Sequence, residues 1–313
     1  MSNTEYKETA INSVNEPEGE FKVLEEPLRP PVNEFKRFCR VFFKRKIVVF
    51  GFVVTILLIL VTVFADFVAP YDPNETDYYN VLAGPSSAHW LGTDTLGRDL
   101  LSRLIYGGRI ALLVGIVSVV ISAAVGTVIG LVAGFAEGAV QAIIMRCTDI
   151  LMSGPSLILQ LLIASVLGRN TMGVVTAIAI TLFPGYIRLI CGQVLSYKQN
   201  DYVKAATSMG AKRARIMFRH LLPNCVSPLI VQMTMMMGIA ILSEASLSFL
   251  GLGIAPPTPA WGSMCYDGYQ YLATNPLLSI APGLIIMLLV FSFNMVGDGL
   301  RDALDPRLRG SMD

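Results

Sequence analysis

The chain has 313 residues, of which 53% are hydrophobic and only 15% charged, and its formal net charge is +1. A soluble domain carries about a quarter charged residues, so this deficit leaves long uncharged stretches that only lipid tolerates. The near-zero charge gives no sign of nucleic-acid binding, and the five cysteines show no CxxC or other metal-ligand spacing. The two histidines, His89 and His220, lie far apart, so no metal site is expected.

The beginning of the chain is polar and acidic. Residues 1–32 contain no apolar stretch typical of a signal peptide, and we predict a disordered cytosolic tail. From Asn33 to Lys46, aromatic residues recur at helical spacing beside a basic face. This pattern indicates a helix in the lipid headgroups, a basic flank that orients the next span, or both.

Six apolar stretches predict six transmembrane helices. The first, Ile47–Ala65, is uncharged and about 19 residues long, which nearly covers a hydrocarbon core of roughly 30 Å. The others are 110–135, 150–168, 172–195, 226–250 and 277–297. Basic residues concentrate before the first span and between the fourth and fifth, which predicts a multi-pass protein with both termini in the cytoplasm.

These spans divide the chain into units. Residues 33–109 hold the interfacial helix, the first span and an external loop, residues 110–300 form a five-helix core, and residues 301–313 are a cytosolic C-terminus. Within the loop, Gly97–Gly108 is predicted as a short separate helix. Small residues recur every four positions in the second span, which predicts a stripe for close helix packing. They are Ser118, Ser122, Gly126, Gly130, Gly134 and Gly138.

The segment between the fourth and fifth spans carries the strongest functional pattern. From Asp201 to Pro223 an apolar stripe lies opposite a basic stripe, which predicts one amphipathic helix over 201–222. We expect Asp201 to cap this helix and Pro223 to end it before the fifth span. By periodicity alone, the helix is either a docking surface for a cytosolic partner or a helix on anionic lipid.

The same segment resembles the EAA-loop signature of ABC importer permeases. The matching residues are Ala205, Ala206, Gly210, Ile216, His220, Leu222 and Pro223. Further motifs are similar to the dipeptide/oligopeptide/nickel permease group, in particular its DppC/OppC-type subunit. They are 89–94, 96–99, 102–107, 247–253, 256–257, 261–262, 293–294, 297–302 and 304–307. The resemblance extends over roughly residues 36 to 309.

This resemblance implies an all-α membrane protein with the type I permease fold of ABC importers, with six transmembrane helices, an amphipathic N-terminal helix and a cytosolic coupling helix. A second, similar permease is expected to complete the translocation path, and two cytosolic P-loop ATPases to bind ATP and Mg. An extracytoplasmic binding protein is expected to deliver the cargo to the outer face. The chain itself is expected in the cell (inner) membrane of a prokaryote. The implied cargo is peptides, while nickel chelates and oligosaccharides remain open.

Three groups of residues are candidates for function. The resemblance implies ATPase coupling by the segment that contains Asp201, Lys204, Ala205, Ala206, Gly210, Ile216, His220 and Pro223. The family usually has Glu where this chain has Lys204, so we expect an acidic or neutral contact on the ATPase. Candidates for the translocation path are Met233, Met237 and Glu244, with core packing and pairing within the bundle as alternatives. Candidates for contact with the binding protein are Asp94, Arg98 and Asp99.

The sequence contains no catalytic motif. It has no Walker A run, and the dipeptide Gly-Lys does not occur, so we expect a non-enzymatic chain without a cofactor. A self-sufficient secondary transporter and a scaffold without transport remain as alternatives of other classes. Arg146 and Asp149, three residues apart, are predicted to form an ion pair, and Arg188 is predicted to extend toward the membrane surface.

Overall fold

The computed structural model describes residues 34–136 and 138–304. Residues 34–37 belong to an N-terminal unit, residues 1–37, and form the first turn of helix α1. The second unit begins at Phe38 and contains all the other described elements. The predicted disordered tail, residues 1–32, and the end of the predicted C-terminal unit, residues 305–313, lie outside the described residues.

The described parts of the chain are helical and contain no strand, apart from an isolated antiparallel bridge between Thr93 and Asp99. The α-helices and one π turn follow in chain order. They are α1 (Glu34–Phe42), α2 (Lys46–Val63), α3 (Ala65–Val68), α4 (Leu100–Phe135), α5 (Ala139–Met152), α6 (Ser156–Leu167), α7 (Thr171–Tyr197), α8 (Asp201–Ser208), α9 (Arg213–Arg215), the π turn (Ile216–Leu221), α10 (Leu222–Phe249), α11 (Trp261–Tyr269) and α12 (Leu277–Leu304).

Five described helical stretches are long and apolar enough to cross a membrane. They are α2, α4, α7, the continuous stretch Arg213–Phe249 and α12. A sixth crossing is formed only if α5 and α6, which are bent by 89°, act together. The predicted continuous helix over 150–168 is therefore wrong. Ser153, Gly154 and Pro155 interrupt it, because glycine favours turns and proline cannot extend the preceding helix.

The small-residue stripe of α4 packs along α7. A Cβ at Gly126 would lie 2.6 Å from Tyr186 Cβ, and one at Gly134 would lie 2.6 Å from Val194 Cβ. These distances are far below van der Waals contact, so only glycine lets the two backbones approach this closely. The prediction of close packing is confirmed for α4. Gly138 is the exception, because it lies after the end of α4 in a turn with a φ of +69°.

The outer loop and α11 pack onto the beginning of α4. Trp261, the first residue of α11, donates its indole N–H to Leu104 O at 2.8 Å. Its ring covers Gly107, where a Cβ would lie 2.7 Å from Trp261 Cδ1. The predicted separate helix over 97–108 is wrong, since α4 begins at Leu100 and continues for 36 residues. Asp99 starts it by accepting the backbone N–H of Ser102 at 2.8 Å.

Candidate functional site

The connector between α7 and α10, residues 198–221, contains the segment with the strongest sequence pattern. The predicted single helix over 201–222 is wrong, because α8 ends at Ser208 and a new helix begins at Arg213. Asp201 is also not the predicted cap. Asn200 precedes the helix without a side-chain hydrogen bond, while Asp201 forms an exposed ion pair with Lys204 at 3.6 Å.

A glycine turn separates the two halves of the connector. Gly210 has a φ of +76°, which residues with a Cβ rarely adopt. Ala211 N–H donates to Ala206 O at 3.1 Å, and Gly210 N–H donates to Thr207 O at 2.9 Å. This pair of bonds is the Schellman motif, which satisfies the last carbonyls of α8. Gly210 therefore ends α8.

Pro223 does not end a helix either. It lies in the first turn of α10, and the chain is helical without interruption from Arg213 to Phe249. The preceding residues, Ile216–Leu221, form a π turn. A proline in an α-helix clashes with the carbonyl four residues earlier, and the wider π turn relieves this crowding. The second half of the connector, from Arg213, is thus continuous with the fifth span.

The buried side of α8 joins the connector to the ends of three spans. Val203 and Ala206 pack into a separate apolar cluster with Ile216 from the π turn. The remaining buried members of this cluster are Leu131, Ile190, Val194, Leu221 and Cys225. They come from α4, α7, the π turn and α10. This cluster therefore links α8 to the ends of three membrane-crossing helices.

The opposite side of α8 is exposed. Lys204, Ala205 and Gly210 face solvent, and Met209 at the turn keeps 81% of its surface exposed. An adjacent cavity of about 490 Å³ is lined by the basic side chains of Lys198, Lys204 and Arg213. The other sequence candidates are divided between the faces. Ile216 is buried, His220 is half-buried, and Pro223 is exposed.

The three candidates in the outer loop are buried and bonded within the chain. Asp94 accepts a hydrogen bond from Arg98 Nε at 2.7 Å and lies 3.4 Å from Arg103 Nε. Asp99 caps α4 and also pairs with His89 Nδ1 at 2.9 Å. These residues hold the loop in place. The most exposed large side chains between α3 and α4 are Tyr78, Tyr79 and Trp90.

The candidates for the translocation path do not form one open surface. Met237 is buried against Gly115 of α4, and Met233 lies at the edge of the main core cluster. Glu244 is fully buried. Its Oε1 accepts a hydrogen bond from Ser248 Oγ at 2.7 Å, while Oε2 has no partner. Ser248 lies on the same helix as Glu244, so both interpretations of Glu244, in the translocation path or paired within the bundle, stay predictions.

One ion pair was missed by the sequence patterns. Asp149 bonds to Arg188 Nη2 at 2.8 Å, instead of to Arg146 as predicted. Because the two partners are 39 residues apart, no local spacing reveals the pair. The Ser-Gly-Pro signal beside Asp149 could have revealed the break between α5 and α6.

Comparisons with known proteins agree with this architecture. Residues 126–310 match the family described as the binding-protein-dependent transport system inner membrane component. Residues 34–85 match the N-terminal transmembrane domain of oligopeptide transport permease C.

Two curated relatives are similar over nearly the whole chain. The glutathione transport system permease protein GsiD of Pectobacterium atrosepticum is 42% identical over 92% of this chain and 95% of that protein. GsiD of Escherichia coli is 43% identical over 92% of this chain and 94% of that protein. A solved structure of the MetNI methionine ABC transporter in an inward-facing conformation has a TM-score of 0.53. It is 17% identical and covers 66% of this chain and 98% of that chain, so it shows the shared fold.

Proposed function

The chain belongs to the family of inner-membrane components of binding-protein-dependent transport systems, as a non-catalytic ABC importer permease of the DppC/OppC group, and we propose that it imports peptides of the glutathione class. The 42–43% identity to glutathione permeases over nearly their full length supports this cargo. Glutathione is itself a small peptide with a free ammonium group and two carboxylates. Nickel chelates and oligosaccharides are the alternative cargoes of the same machinery.

The connector is the proposed site of coupling to ATP hydrolysis. The observation that carries this proposal is the two-sided arrangement of α8. Its exposed side presents Lys204 and Ala205, with Met209 in the turn that follows, while Val203 and Ala206 on its other side belong to one apolar cluster with residues from the ends of α4 and α7. A partner that moves α8 thereby favours one of two packings of the membrane helices. The proposed partners are two cytosolic P-loop ATPases that hold the ATP and Mg.

The remaining partners follow from this arrangement. A second permease would complete the translocation path, and an extracytoplasmic binding protein would dock on the side that carries the outer loop. In this topology both chain termini lie in the cytoplasm, on the same side as α8. The exposed Tyr78, Tyr79 and Trp90 offer a binding protein more contact area than the buried Asp94, Arg98 and Asp99 do.

Purification from native membranes, combined with an uptake assay, tests the proposal. We expect the tagged chain to recover a second permease and P-loop ATPases, and reconstituted vesicles to accumulate radiolabelled glutathione only with ATP. Dipeptides, a nickel chelate and an oligosaccharide serve as competing cargoes. Uptake that follows a proton or sodium gradient without ATP would instead support a secondary transporter. Recovery of the chain alone would support the scaffold.

Lys204 offers a direct test of the coupling surface. Lys204→Glu reverses the charge of an exposed side chain on α8, so we expect ATP hydrolysis to lose its dependence on cargo-loaded binding protein. Arg169→Glu is the matched control. It makes the same charge change at an exposed position before α7, at the opposite end of that helix, and should leave coupling intact. Better coupling in Lys204→Glu would contradict the proposed charge match.

A further inference from the structure

An exposed ion pair lies on one face of α7, inside the stretch 172–195 that the sequence predicts as the fourth span. Arg188 Nη2 is 2.8 Å from Asp149 Oδ1, and the two side chains keep 52% and 47% of their surface exposed. Arg188 is nine residues before the end of α7 at Tyr197, which places it about 14 Å along the helix from that end. The adjacent Ile187 packs against Gly130, which lies inside the α4 span. Charges at this depth do not face lipid without a large cost.

The interruption between helices α5 and α6, close to Asp149, lies on the same face. Asp149 is three residues before the end of α5, and exposed Ser153, Gly154 and Pro155 follow that helix. The bond to Arg188 fixes this part of α5 at the depth of the α7 span. Non-helical backbone at membrane depth carries unpaired polar groups. It is tolerated only where it is buried in protein or lines a water-filled cavity, and here it is exposed.

The neighbouring residues of α7 leave this face open. Gly185 and Gly192 lie about one turn on either side of Arg188, and a Cβ at either position would meet nothing within 4 Å. One turn further, Thr181 Oγ1 accepts a hydrogen bond from Gln160 Nε2 at 2.8 Å. At the glycines of α4, a neighbouring residue occupies the space that a Cβ would need, whereas Gly185 and Gly192 border open space. The face is small and polar, unlike the exposed apolar surface of α2.

We propose that this face of α5–α7 lines the cargo route, and that the Asp149–Arg188 pair binds the charged ends of zwitterionic peptides. The Asp149 carboxylate accepts hydrogen bonds from the ammonium group of the cargo, and the Arg188 guanidinium donates hydrogen bonds to a carboxylate of the cargo. Each separated charge thereby gains a new partner, so neither is left unpaired at membrane depth. The cargo assignment rests on the proposed import of peptides, whereas the position of the lining does not.

Cysteine labelling tests the lining without any transport assay. Gly185→Cys and Gly192→Cys are introduced into the assembled transporter in native membranes, with Cys39, Cys147 and Cys265 replaced by serine. A charged, membrane-impermeant methanethiosulfonate should modify both new thiols. Val53→Cys on α2 is the control, because Val53 is 56% exposed on an apolar span and should not react. Reaction at the two glycine positions no faster than at Val53 would overturn the proposal.

Uptake kinetics test the pair itself. We expect Arg188→Gln and Asp149→Asn to raise the KM for glutathione at least tenfold. Arg146→Gln, which removes an exposed charge from α5 outside the pair, should leave this KM unchanged. An unchanged KM in both pair variants would refute the assigned contact.

A charge exchange separates binding from mere structural support. The double variant with Asp149→Arg and Arg188→Asp restores an ion pair with reversed polarity. Structural support predicts that uptake recovers, which would overturn the proposal, whereas cargo binding predicts that the KM stays high. If the parent transports no glutathione but the two glycine positions are labelled, the proposed cargo fails while the lining is supported.

Discussion

Replacing Gly126 with alanine should destabilise the bundle because α4 and α7 are already in contact there. The added Cβ would lie 2.6 Å from Tyr186 Cβ and 2.7 Å from Phe183 O, so a backbone has to move. Such overpacking costs about 1–3 kcal/mol. Alanine also favours a helix over glycine by roughly 0.5–1 kcal/mol, which partly offsets this cost. Gly192→Ala is the matched variant, because its Cβ meets nothing within 4 Å and only the helix gain applies.

The helix gain is common to both variants and cancels in their difference, which leaves the overlap cost of about 1–3 kcal/mol. At about 2–4 °C per kcal/mol, the apparent thermal midpoints should differ by at least ~2 °C, with Gly126→Ala the lower. The assay is loss of monodisperse complex in detergent after heating. A Gly126→Ala midpoint equal to or above that of Gly192→Ala would refute tight α4–α7 packing.

Three further changes probe the outer part of the chain. Asp99→Ala should destabilise the start of α4 by about 1 kcal/mol through loss of the cap. Asp99→Asn should retain most of the stability that the cap provides, and thermal unfolding measures both variants. Trp261→Phe removes the N–H bond to Leu104 O and should cost about 1 kcal/mol by the same measurement. The hydrogen bonds from Arg109 and Tyr106 lower the pKa of Asp66, so its stabilising effect is complete above the unfolded pKa of about 3.9 and disappears as pH falls through the lower, folded pKa. Asp66→Asn should therefore lower the thermal midpoint at pH 7, and the difference from the parent should vanish in strong acid.

Apolar length and small-residue spacing could be read directly from the sequence. Both depend on one helix at a time, so the α4 stripe and five of the spans were predictable from local pattern. The third span was not, because an apolar stretch remains apolar whether or not Ser153, Gly154 and Pro155 bend it. Hydropathy indicates that a stretch is apolar enough to lie in lipid, but it does not predict where the backbone bends.

The candidate site shows the same division. The amphipathic pattern of the connector was correct, but it could not show that Gly210 separates two helices with the same apolar period. The pairing of Asp149 with Arg188 depends on how α5 crosses α7, which is a tertiary property. The buried Asp94 and Asp99 were predicted as external contacts because charge alone does not show whether a loop folds over its own carboxylates.

Two explanations for glycine at position 210 can be separated by experiment. The first is the backbone, since a residue with a Cβ at a φ of +76° costs about 1–2 kcal/mol. The second is close approach by a partner, because a Cβ at Gly210 would meet nothing within 4 Å of this chain. Gly210→Ala suffers from both effects. Gly210→Asn relieves the first, since asparagine tolerates this conformation, and worsens the second with a longer side chain.

If the backbone turn is what matters, Gly210→Asn should couple ATP hydrolysis to uptake better than Gly210→Ala. The alanine penalty lowers the population of the correct turn by a factor of roughly 5 to 30. Stability of the isolated chain should change little, because α8 buries only Val203 and Ala206. The opposite order, with asparagine the more damaging, would show that a partner surface lies directly against Gly210. That result would locate the ATPase contact at the turn instead of along the Lys204 face of α8.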